Sequence, residues 1–184
     1  KINRAPQLGK TMKAQLKSVR GFSPRIDATC YLADNAVVIG DVEVAEKSSI
    51  WFNVVVRGDV APIRIGREVN IQDGSVIHGT FEKDGNNFGV TIEDRVTIGH
   101  LVMLHGCHIG RGSLIGMGSI VMDDVKIGEH CLVGAGSLVT EGSKFPAGSL
   151  IVGRPAKVKR QLSAEEIDLL ELSADNYLLY SSWY

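Results

Sequence analysis

The segment from Ile109 to Val139 reads IGRGSLIGMGSIVMDDVKIGEHCLVGAGSLV, and every sixth residue in it is aliphatic. In four of the six cases glycine follows that aliphatic residue directly. A period of six is neither the 3.6 of a helix nor the simple alternation of a long strand. It suits short β-strands joined by tight turns, where Gly, Asn and Asp supply positive φ angles. The segment therefore predicts a stack of short strands.

The same count extends upstream through most of the chain, with one five-residue step, one polar excursion and one slip of three residues. Its positions are Ile26, Leu32, Val38, Val44, Ile50, Val56, Ile65, Ile71, Ile77, Ile92, Ile98, Leu104, Ile109, Ile115, Val121, Ile127, Val133 and Val139. Three such segments make one triangular coil of 18 residues, and stacked coils pair as parallel strands about 4.8 Å apart. Residues 26–152 would supply about six or seven coils of a mainly β fold, a parallel β-helix. A β-sandwich is the alternative, but sandwich strands do not hold one phase over so long a stretch.

The predicted domain organisation is one β-helix with a segment at each end. Residues 1–21 form an N-terminal extension, residues 22–155 form the β-helix domain, and residues 156–184 form a C-terminal helix that packs on the β-helix or on a neighbouring subunit. The polar stretch 79–90, GTFEKDGNNFGV, predicts a loop that leaves the coils at one corner. Ser163 and Glu166 have the spacing of a capping box, so the helix is expected to begin there.

Composition excludes several classes of function. The chain has 184 residues, of which 44% are hydrophobic and 22% charged, as expected of one globular domain. Its 20 basic and 21 acidic side chains leave a net charge of -1, which gives no electrostatic footprint for nucleic acid or for an anionic membrane. No apolar run could span a bilayer, and the first residues lack the apolar stretch of a secretory signal. The near-neutral charge leads us to expect a protein that acts on a small molecule. The three cysteines, Cys30, Cys107 and Cys131, form neither an even disulfide set nor a CxxC pair, so we expect a reducing, cytoplasmic location.

Two of the five histidines occupy the same position of the six-residue repeat. His78 follows Ile77 and His105 follows Leu104, so both side chains are expected to point outward. If the polar excursion accounts for about nine of the residues between them, the remainder is one coil of about 18. His105 would then lie directly over His78. Two imidazoles one strand spacing apart can bind the same metal ion.

His100 occupies a different position, two residues after Ile98, on the face that precedes the one carrying His105. It cannot readily turn the corner to join the other two histidines of its own chain. In a three-fold assembly with parallel β-helix axes, however, the corner of one subunit meets the adjacent face of its neighbour. The spacing therefore favours a trimer with three interfacial sites. His108 and His130 have no stacked partner and are expected to be ordinary hydrogen-bonded residues.

Three neutral imidazoles with an open fourth position are typical of a catalytic zinc site, because structural zinc usually has four protein ligands. A metal in such a site lowers the pKa of bound water to about 7, which produces hydroxide at neutral pH. This hydroxide can attack carbon dioxide, an ester or another electrophile. The histidines therefore define the nucleophile and leave the substrate open.

Polar side chains within one coil of His78 could belong to the same site and so bear on its substrate. They occur in the segments Arg57-Gly58-Asp59 and Asn70-Ile71-Gln72-Asp73. An Arg-Asp pair at a subunit boundary would fix the register of the trimer, and the amide of Gln72 could orient metal-bound water. The alternative is a solvated charge cluster, which is the commoner role of surface charges.

The motifs together match one known family. They are Arg57-Gly58-Asp59, Asn70-Ile71-Gln72-Asp73-Gly74, His78, Gly99-His100, and Leu104-His105-Gly106-Cys107. In these residues the sequence resembles the γ-class carbonic anhydrases, especially their compact bacterial relatives, over roughly residues 22–180. The repeat itself resembles the hexapeptide-repeat superfamily, whose parallel β-helices are left-handed.

The resemblance implies a homotrimer that hydrates carbon dioxide reversibly to bicarbonate by a zinc-bound hydroxide at the trimer interface. Zinc, or else iron or cobalt, would be held by His78 and His105 of one subunit and by His100 of the next.

The resemblance also assigns the surrounding residues. It implies that Arg57 interacts with Asp73 at the interface and that Gln72 and Asp59 lie near the metal-bound solvent, while Tyr177 approaches the pocket from the C-terminal helix. One departure from the archetypal members concerns proton export. They carry a glutamate directly after the position of Asp59, where this chain has Val60, so turnover is expected to be slow.

Three other functions remain open at this stage. The segment Gly153-Arg154-Pro155-Ala156-Lys157 also resembles the end of the hexapeptide acyltransferases, which use CoA and a single histidine base. A metal-dependent thioesterase would direct the same hydroxide at a different carbonyl. A trimeric metalloprotein without catalytic activity would use the site for metal binding alone.

Overall fold

In the computed structural model, which describes residues 13–83 and 86–184, the chain forms a left-handed parallel β-helix with one C-terminal α-helix. The first twelve residues of the predicted N-terminal extension lie outside the described part. The strands of the first half are β1 (Gln15–Lys17), β2 (Arg25–Ile26), β3 (Tyr31–Leu32), β4 (Val37–Val44), β5 (Ser49–Ile50), β6 (Val55–Ile65), β7 (Asn70–Ile71), β8 (Val76–His78), β9 (Thr80–Lys83), β10 (Asn86–Phe88) and β11 (Val90–Ile92). Those of the second half are β12 (Thr97–Ile98), β13 (Met103–His105), β14 (His108–Ile109), β15 (Leu114–Ile115), β16 (Ile120–Val121), β17 (Lys126–Ile127), β18 (Leu132–Val133), β19 (Leu138–Val139), β20 (Lys144–Phe145), β21 (Ser149–Gly153) and β22 (Ala156–Gln161), followed by the helix α1 (Ala164–Ser181).

The strands form the three faces of a triangular prism. Face A consists of β3, β5, β7, β12, β15, β18 and β21. Face B consists of the first part of β4, the first part of β6, and β8, β13, β16 and β19, with β1 paired at its N-terminal end. Face C consists of β2, the last parts of β4 and β6, and β11, β14, β17 and β20. The two long strands β4 and β6 turn the corner between faces B and C, and all pairing between successive coils is parallel.

The six-residue count gives the interior of the prism, as the sequence predicts. Every position of the count from Val38 to Val139 is at most 4% exposed, and only Ile26 and Leu32 in the first coil are partly exposed. The register confirms the coil length, since Val37 pairs with Val55 and Leu114 with Leu132. One β-branched or leucine side chain per face and coil therefore fills a continuous apolar core.

Three segments differ from their predicted form. The excursion after His78 is not an irregular loop but an antiparallel hairpin of β9 and β10, in which Thr80 pairs with Phe88. The start of the predicted C-terminal segment 156–184, ahead of the expected helix start at Ser163, forms the strand β22, which pairs antiparallel with β21. At the other end, β1 lies within the predicted N-terminal extension and extends face B beside β4. The two terminal strands satisfy their backbone hydrogen bonds at available sheet edges, whereas the two strands of the hairpin pair with each other.

The helix begins where the capping box predicts. The Ser163 hydroxyl accepts from the Glu166 backbone N–H at 3.2 Å, and the Glu166 carboxylate accepts from the Ser163 N–H at 2.9 Å. The helix packs on face A, burying Leu170 and Ala174. Among the described residues, no helix combines the length and apolarity needed to cross a membrane.

Candidate metal centre

Two imidazoles of neighbouring coils meet on the outer side of face B. His105 pairs in register with His78, because β13 lies directly beside β8. The Nδ1 atom of His78 lies 3.1 Å from the Nε2 atom of His105, and the ring centroids are 5.1 Å apart. The stacking predicted from the repeat is therefore present.

A carboxylate holds the far side of the His78 ring. The Nε2 atom of His78 lies 3.0 Å from an oxygen of Asp59. A carboxylate accepts hydrogen bonds, so the ring proton belongs on Nε2 and the lone pair remains on Nδ1. Burial lowers the pKa of His78 below its ordinary value and so favours the neutral ring. The hydrogen bond to Asp59 acts in the opposite direction but does not cancel the effect of burial.

A second carboxylate orients His105 in the same way. The Nδ1 atom of His105 lies 2.6 Å from an oxygen of Asp123, which leaves the lone pair on Nε2. The hydroxyl of Thr80, in the first strand of the hairpin, donates to the other oxygen of Asp123 at 2.6 Å. Both histidines thus direct an unprotonated nitrogen at each other.

The pair fits a metal ion. Two imidazole nitrogens bound to one tetrahedral zinc ion at about 2.0–2.1 Å lie about 3.3 Å apart. The 3.1 Å separation between His78 and His105 is close to that value, and two facing lone pairs repel unless a cation lies between them. The hydrogen bonds of Asp59 and Asp123 to the outer nitrogens are those expected around metal-binding histidines.

Asp59 links the histidine pair to Arg57. The Arg57 guanidinium donates to Asp59 at 2.5 Å. Partial burial alone would raise the pKa of Asp59, but the hydrogen bonds from Arg57 and His78 outweigh it, so the pKa lies below its ordinary value. The Asp59 carboxylate is therefore charged at neutral pH. Arg57 pairs with Asp59 within one chain, and its predicted contact with Asp73 concerns a subunit interface.

The other predicted residues lie around the corner between faces A and B. His100 is in the turn between β12 and β13, and its Nδ1 atom lies 2.9 Å from an oxygen of Asp73. Gln72 is buried at the end of β7 and donates from Nε2 to Asn70 at 3.0 Å. Tyr177 packs edge-on against Trp51.

The pKa of Tyr177 reflects its buried position near Asp73. Burial raises its pKa above the ordinary value, and the negative charge of Asp73 adds to the effect. The proximity of Tyr177 to Asp73 places the helix beside the corner that carries His100. The eight predicted site residues thus divide into two groups within one chain. Arg57, Asp59, His78 and His105 are in the face B group, and Gln72, Asp73, His100 and Tyr177 are in the corner group.

Across the described residues, the side chains of one chain bring no three His, Cys, Asp or Glu into positions that could hold a metal ion. The histidine pair could supply two ligands, whereas His100 faces Asp73. His108 and His130 bind Glu93 and Glu171, which is the ordinary hydrogen-bonded role expected of them.

Sequence reasoning missed Asp123 and Thr80. Asp123 stands 18 residues after His105, which is the length of one coil, so the repeat held a signal that could have found it. Thr80 carried no such signal, because it belongs to the segment that leaves the repeat.

Comparison with known proteins finds hexapeptide-repeat relatives, some named as carbonic anhydrases and some as transferases. Residues 106–141 match the family model described as bacterial transferase hexapeptide, six repeats. A carbonic anhydrase from Geobacillus kaustophilus is 46% identical over 165 residues, covering 90% of this chain and 88% of the relative. Gamma carbonic anhydrase 2 from Arabidopsis thaliana mitochondria is 40% identical over 164 residues, covering 89% of this chain and 59% of that protein. A crystal structure of a hexapeptide transferase family protein from Anaplasma phagocytophilum matches with a TM-score of 0.87 and 42% identity, covering 92% of this chain and 98% of that one.

Proposed function

The chain belongs to the γ-class carbonic anhydrase-like family of hexapeptide-repeat proteins, and from this premise we propose that it hydrates carbon dioxide reversibly to bicarbonate at a metal centre shared between subunits of a homotrimer. The observation that carries the proposal is the 3.1 Å separation between a nitrogen of His78 and a nitrogen of His105, while the other nitrogen of each ring faces a carboxylate. A cation bound by both nitrogens would account for this short separation.

The metal would be held by His78 and His105 of one subunit and by His100 of the next. Zinc suits three imidazoles, and iron or cobalt would accept the same donors. When bound, the metal supplies the Lewis acidity that makes water nucleophilic near neutral pH. Asp59 and Asp123 keep the protons of their histidines on the outer nitrogens, at 3.0 and 2.6 Å.

The outer surface of face B supports the proposed trimer. One of its outward columns consists of six apolar residues, Val37, Val55, Val76, Met103, Ile120 and Leu138. This column runs beside the histidine pair. In the trimer a second copy would cover it and bury the apolar surface.

The corner that carries His100 is also apolar at its surface. Leu101 is 71% exposed and Met117 58% exposed, and the Gly118 backbone binds the carbonyl of His100 at 2.8 Å. A corner with these side chains fits the apolar face B of a neighbour. Docking it there would bring His100 toward a His78–His105 pair that lacks its third ligand.

The remaining residues would act on water and carbon dioxide. Asp59 is charged and bound to His78, so its carboxylate can accept a hydrogen bond from the attacking water. Gln72 and Tyr177 belong to the corner group and would arrive with His100, where an amide and a phenol can orient water and bicarbonate. Arg57, which donates to Asp59 within the chain, would also reach Asp73 across the interface. Val60 offers no acidic group for proton export, so turnover should depend on buffer as proton carrier.

Carbon dioxide hydration by stopped flow tests the proposal. Zinc-loaded wild type should be active, whereas His105→Ala should lose at least about a hundredfold in kcat/KM because the metal is lost. His108→Ala is the matched control, since His108 lies on face C and binds Glu93 at 2.9 Å. Equal rates for wild type and His105→Ala would end the proposal.

Subunit mixing tests whether the site is shared. His100→Ala and His105→Ala trimers should each lack metal, but trimers that contain both variants regain one intact site of the three. Equal amounts mixed at random should therefore recover about one quarter of the wild-type metal content. If each site lies within one chain, the mixture recovers none.

A CoA-dependent acyltransferase is the second candidate, and the His105–Asp123 contact favours it. A histidine held by a carboxylate is a common general base. In this chain, however, the Nε2 atom of His105 faces the His78 ring at 3.1 Å, which favours a shared metal ion over a general base. Thermal stabilisation of metal-free protein by acetyl-CoA would support acyl transfer over hydration. Hydrolysis of acetyl-CoA by the metal-loaded protein would indicate a thioesterase, and metal binding by an inactive trimer would leave a non-catalytic metalloprotein.

A further inference from the structure

We propose that Asp123 and Thr80 form a positioning pair that holds His105 for metal binding, and that the hairpin 80–88 thereby helps to set the metal affinity. This inference rests on the proposed metal centre. It concerns two residues outside the motifs that carried the functional argument. Asp123 would act through His105 as a positioning residue and would not touch the substrate.

The geometry defines the direction of the effect. Asp123 has one oxygen on His105 Nδ1 and the other on the Thr80 hydroxyl, both at 2.6 Å. The first contact fixes the ring proton on Nδ1 and so keeps Nε2 free to bind metal. The second contact fixes the rotation of the carboxylate, so that its first oxygen stays on the ring.

The backbone beside this pair leaves room for the carboxylate. Gly106 has φ +52°, and a Cβ built there would lie 2.1 Å from an oxygen of Asp123 and 2.8 Å from the Cβ of Phe88. A larger residue would therefore displace the carboxylate or the hairpin. This observation is independent of the hydrogen bonds, and it links the turn after His105 to the same two elements.

The hairpin holds Thr80 in place. Thr80 is the first residue of β9 and pairs with Phe88, so its backbone is fixed at the base of the hairpin. A Cβ built on Gly79 would lie 2.5 Å from the carbonyl of Phe88, which shows how closely the two strands approach there. The insertion that breaks the repeat thus places one hydroxyl where the repeat alone would not.

Metal affinity tests the proposal. Zinc dissociation constants would be measured by chelator competition for wild type, Asp123→Ala, Asp123→Asn and Thr80→Val. Asp123→Ala should weaken zinc binding by about 10–100-fold, the usual effect of removing such a partner. Asp123→Asn should fall between, because its amide oxygen still accepts from His105 without a charge. Thr80→Val should weaken binding by less than about tenfold, since it removes one hydrogen bond to the carboxylate.

Cobalt spectra separate positioning from a merely structural role. The visible absorption of the cobalt-loaded protein reports ligand geometry, and it should change in Asp123→Ala and stay unchanged in Asp124→Asn. Asp124 is the matched control, because it is the next residue and asparagine tolerates its φ of 52°. Zinc affinity of Asp123→Ala within about twofold of wild type, with an unchanged cobalt spectrum, would overturn the proposal.

The two proposals fail differently. If wild type binds neither zinc nor cobalt, the proposed function fails, whereas tight binding by wild type and by all three variants refutes only the positioning pair. If Asp123→Ala does not fold, Asp123→Asn and Thr80→Val decide the matter by the same criteria.

Discussion

Faces B and C are built alike on the inside and differ on the outside. Along face B the outward column beside the histidine pair is wholly apolar from Val37 to Leu138. Along face C the equivalent column is polar or charged in every coil, with Arg25, Glu43, Arg64, Thr91, His108, Lys126 and Lys144. Strand pairing and core packing therefore do not indicate whether a face contacts solvent or another subunit. The outward residue of each strand distinguishes a face that is suited to a second copy from one that is suited to water.

Face A gives the third outcome. In its middle coils the outward residues Ser49, Asn70 and Thr97 are at most 2% exposed, because α1 covers them. Within one chain, therefore, one face is partly covered by the helix, one is charged, and one has an apolar column beside the histidine pair. On this comparison face B is the one that a trimer should use.

The largest expected effect comes from making face B resemble face C. Ile120→Lys places an ammonium in the apolar column one coil beyond His105, where a trimer would have to bury it at a cost of several kcal/mol, about 3–5. The proposed trimer should dissociate, and the metal should be lost with it because each proposed site needs two subunits. Light scattering and metal analysis of the purified protein measure both.

Lys126→Ile is the reciprocal control on face C. Lys126 lies in the next strand along the chain and its side chain is exposed. Removing its charge should leave mass and metal content unchanged. A trimer that tolerates Ile120→Lys but not Lys126→Ile would reverse the assignment of the two faces.

The next effect concerns the interior, where the two faces should be equal. Leu104 on face B and Ile109 on face C are both fully buried. Leu104→Ala and Ile109→Ala should each lower the free energy of unfolding by about 2–5 kcal/mol, since each leaves a cavity in the packed column. Urea unfolding at one fixed protein concentration measures both. A loss confined to Leu104→Ala would mean that the interiors differ as well.

The smallest effect concerns the cover of face A. Arg95 binds Glu68 at 2.7 Å and Asp175 at 2.8 Å and also pairs with Glu171, while only 19% of its side chain is exposed. Arg95→Ala should cost about 1–3 kcal/mol in urea unfolding, because two of these carboxylates belong to α1. Arg67 is the matched control, since it lies one coil away in the same corner, is 62% exposed and binds only Asp94 among the described contacts. Arg67→Ala should cost about 0–1 kcal/mol.

The Arg95 effect should depend on pH in a defined direction. Burial would raise the pKa of Glu171, but its hydrogen bonds with Arg95 and His130 outweigh this and hold the pKa below its ordinary value of 4.5. The contribution of Glu171 is therefore present above about pH 4.5 and is lost as the pH falls through the lowered folded-state pKa. The difference between wild type and Arg95→Ala should shrink in acid. A difference that grows as the pH falls would contradict the assignment.

Much of the fold could be read from the sequence because the repeat is a direct consequence of the coil. The aliphatic residue at every sixth position becomes the core, as at Val121 and Val133. The hairpin and β22 could not be read in this way. β22 pairs with a sheet edge that exists only once the coils have stacked. The hairpin pairs two strands of a segment that lacks the six-residue repeat, as Thr80 and Phe88 illustrate.

The candidate site was predictable to the same extent. The spacing predicted that His78 and His105 would meet, and they do. It could not show that Asp59 and Asp123 would settle both ring tautomers, because rotamers and hydrogen-bond geometry are not encoded in a period. The metal-binding roles of the three histidines stay predictions, as do the roles of Arg57, Gln72 and Tyr177, since all of them concern a metal ion or proposed contacts between chains.

Sequence alone determined the architecture, since burying one aliphatic side chain in every six residues leaves the backbone few ways to fold. Tertiary structure decided which polar groups face each other. The Thr80 hydroxyl reaches a carboxylate 43 residues away only because an inserted hairpin folds back over the coil. Apolar burial follows composition and spacing, whereas hydrogen bonds require distances and angles that arise only when separate segments pack together.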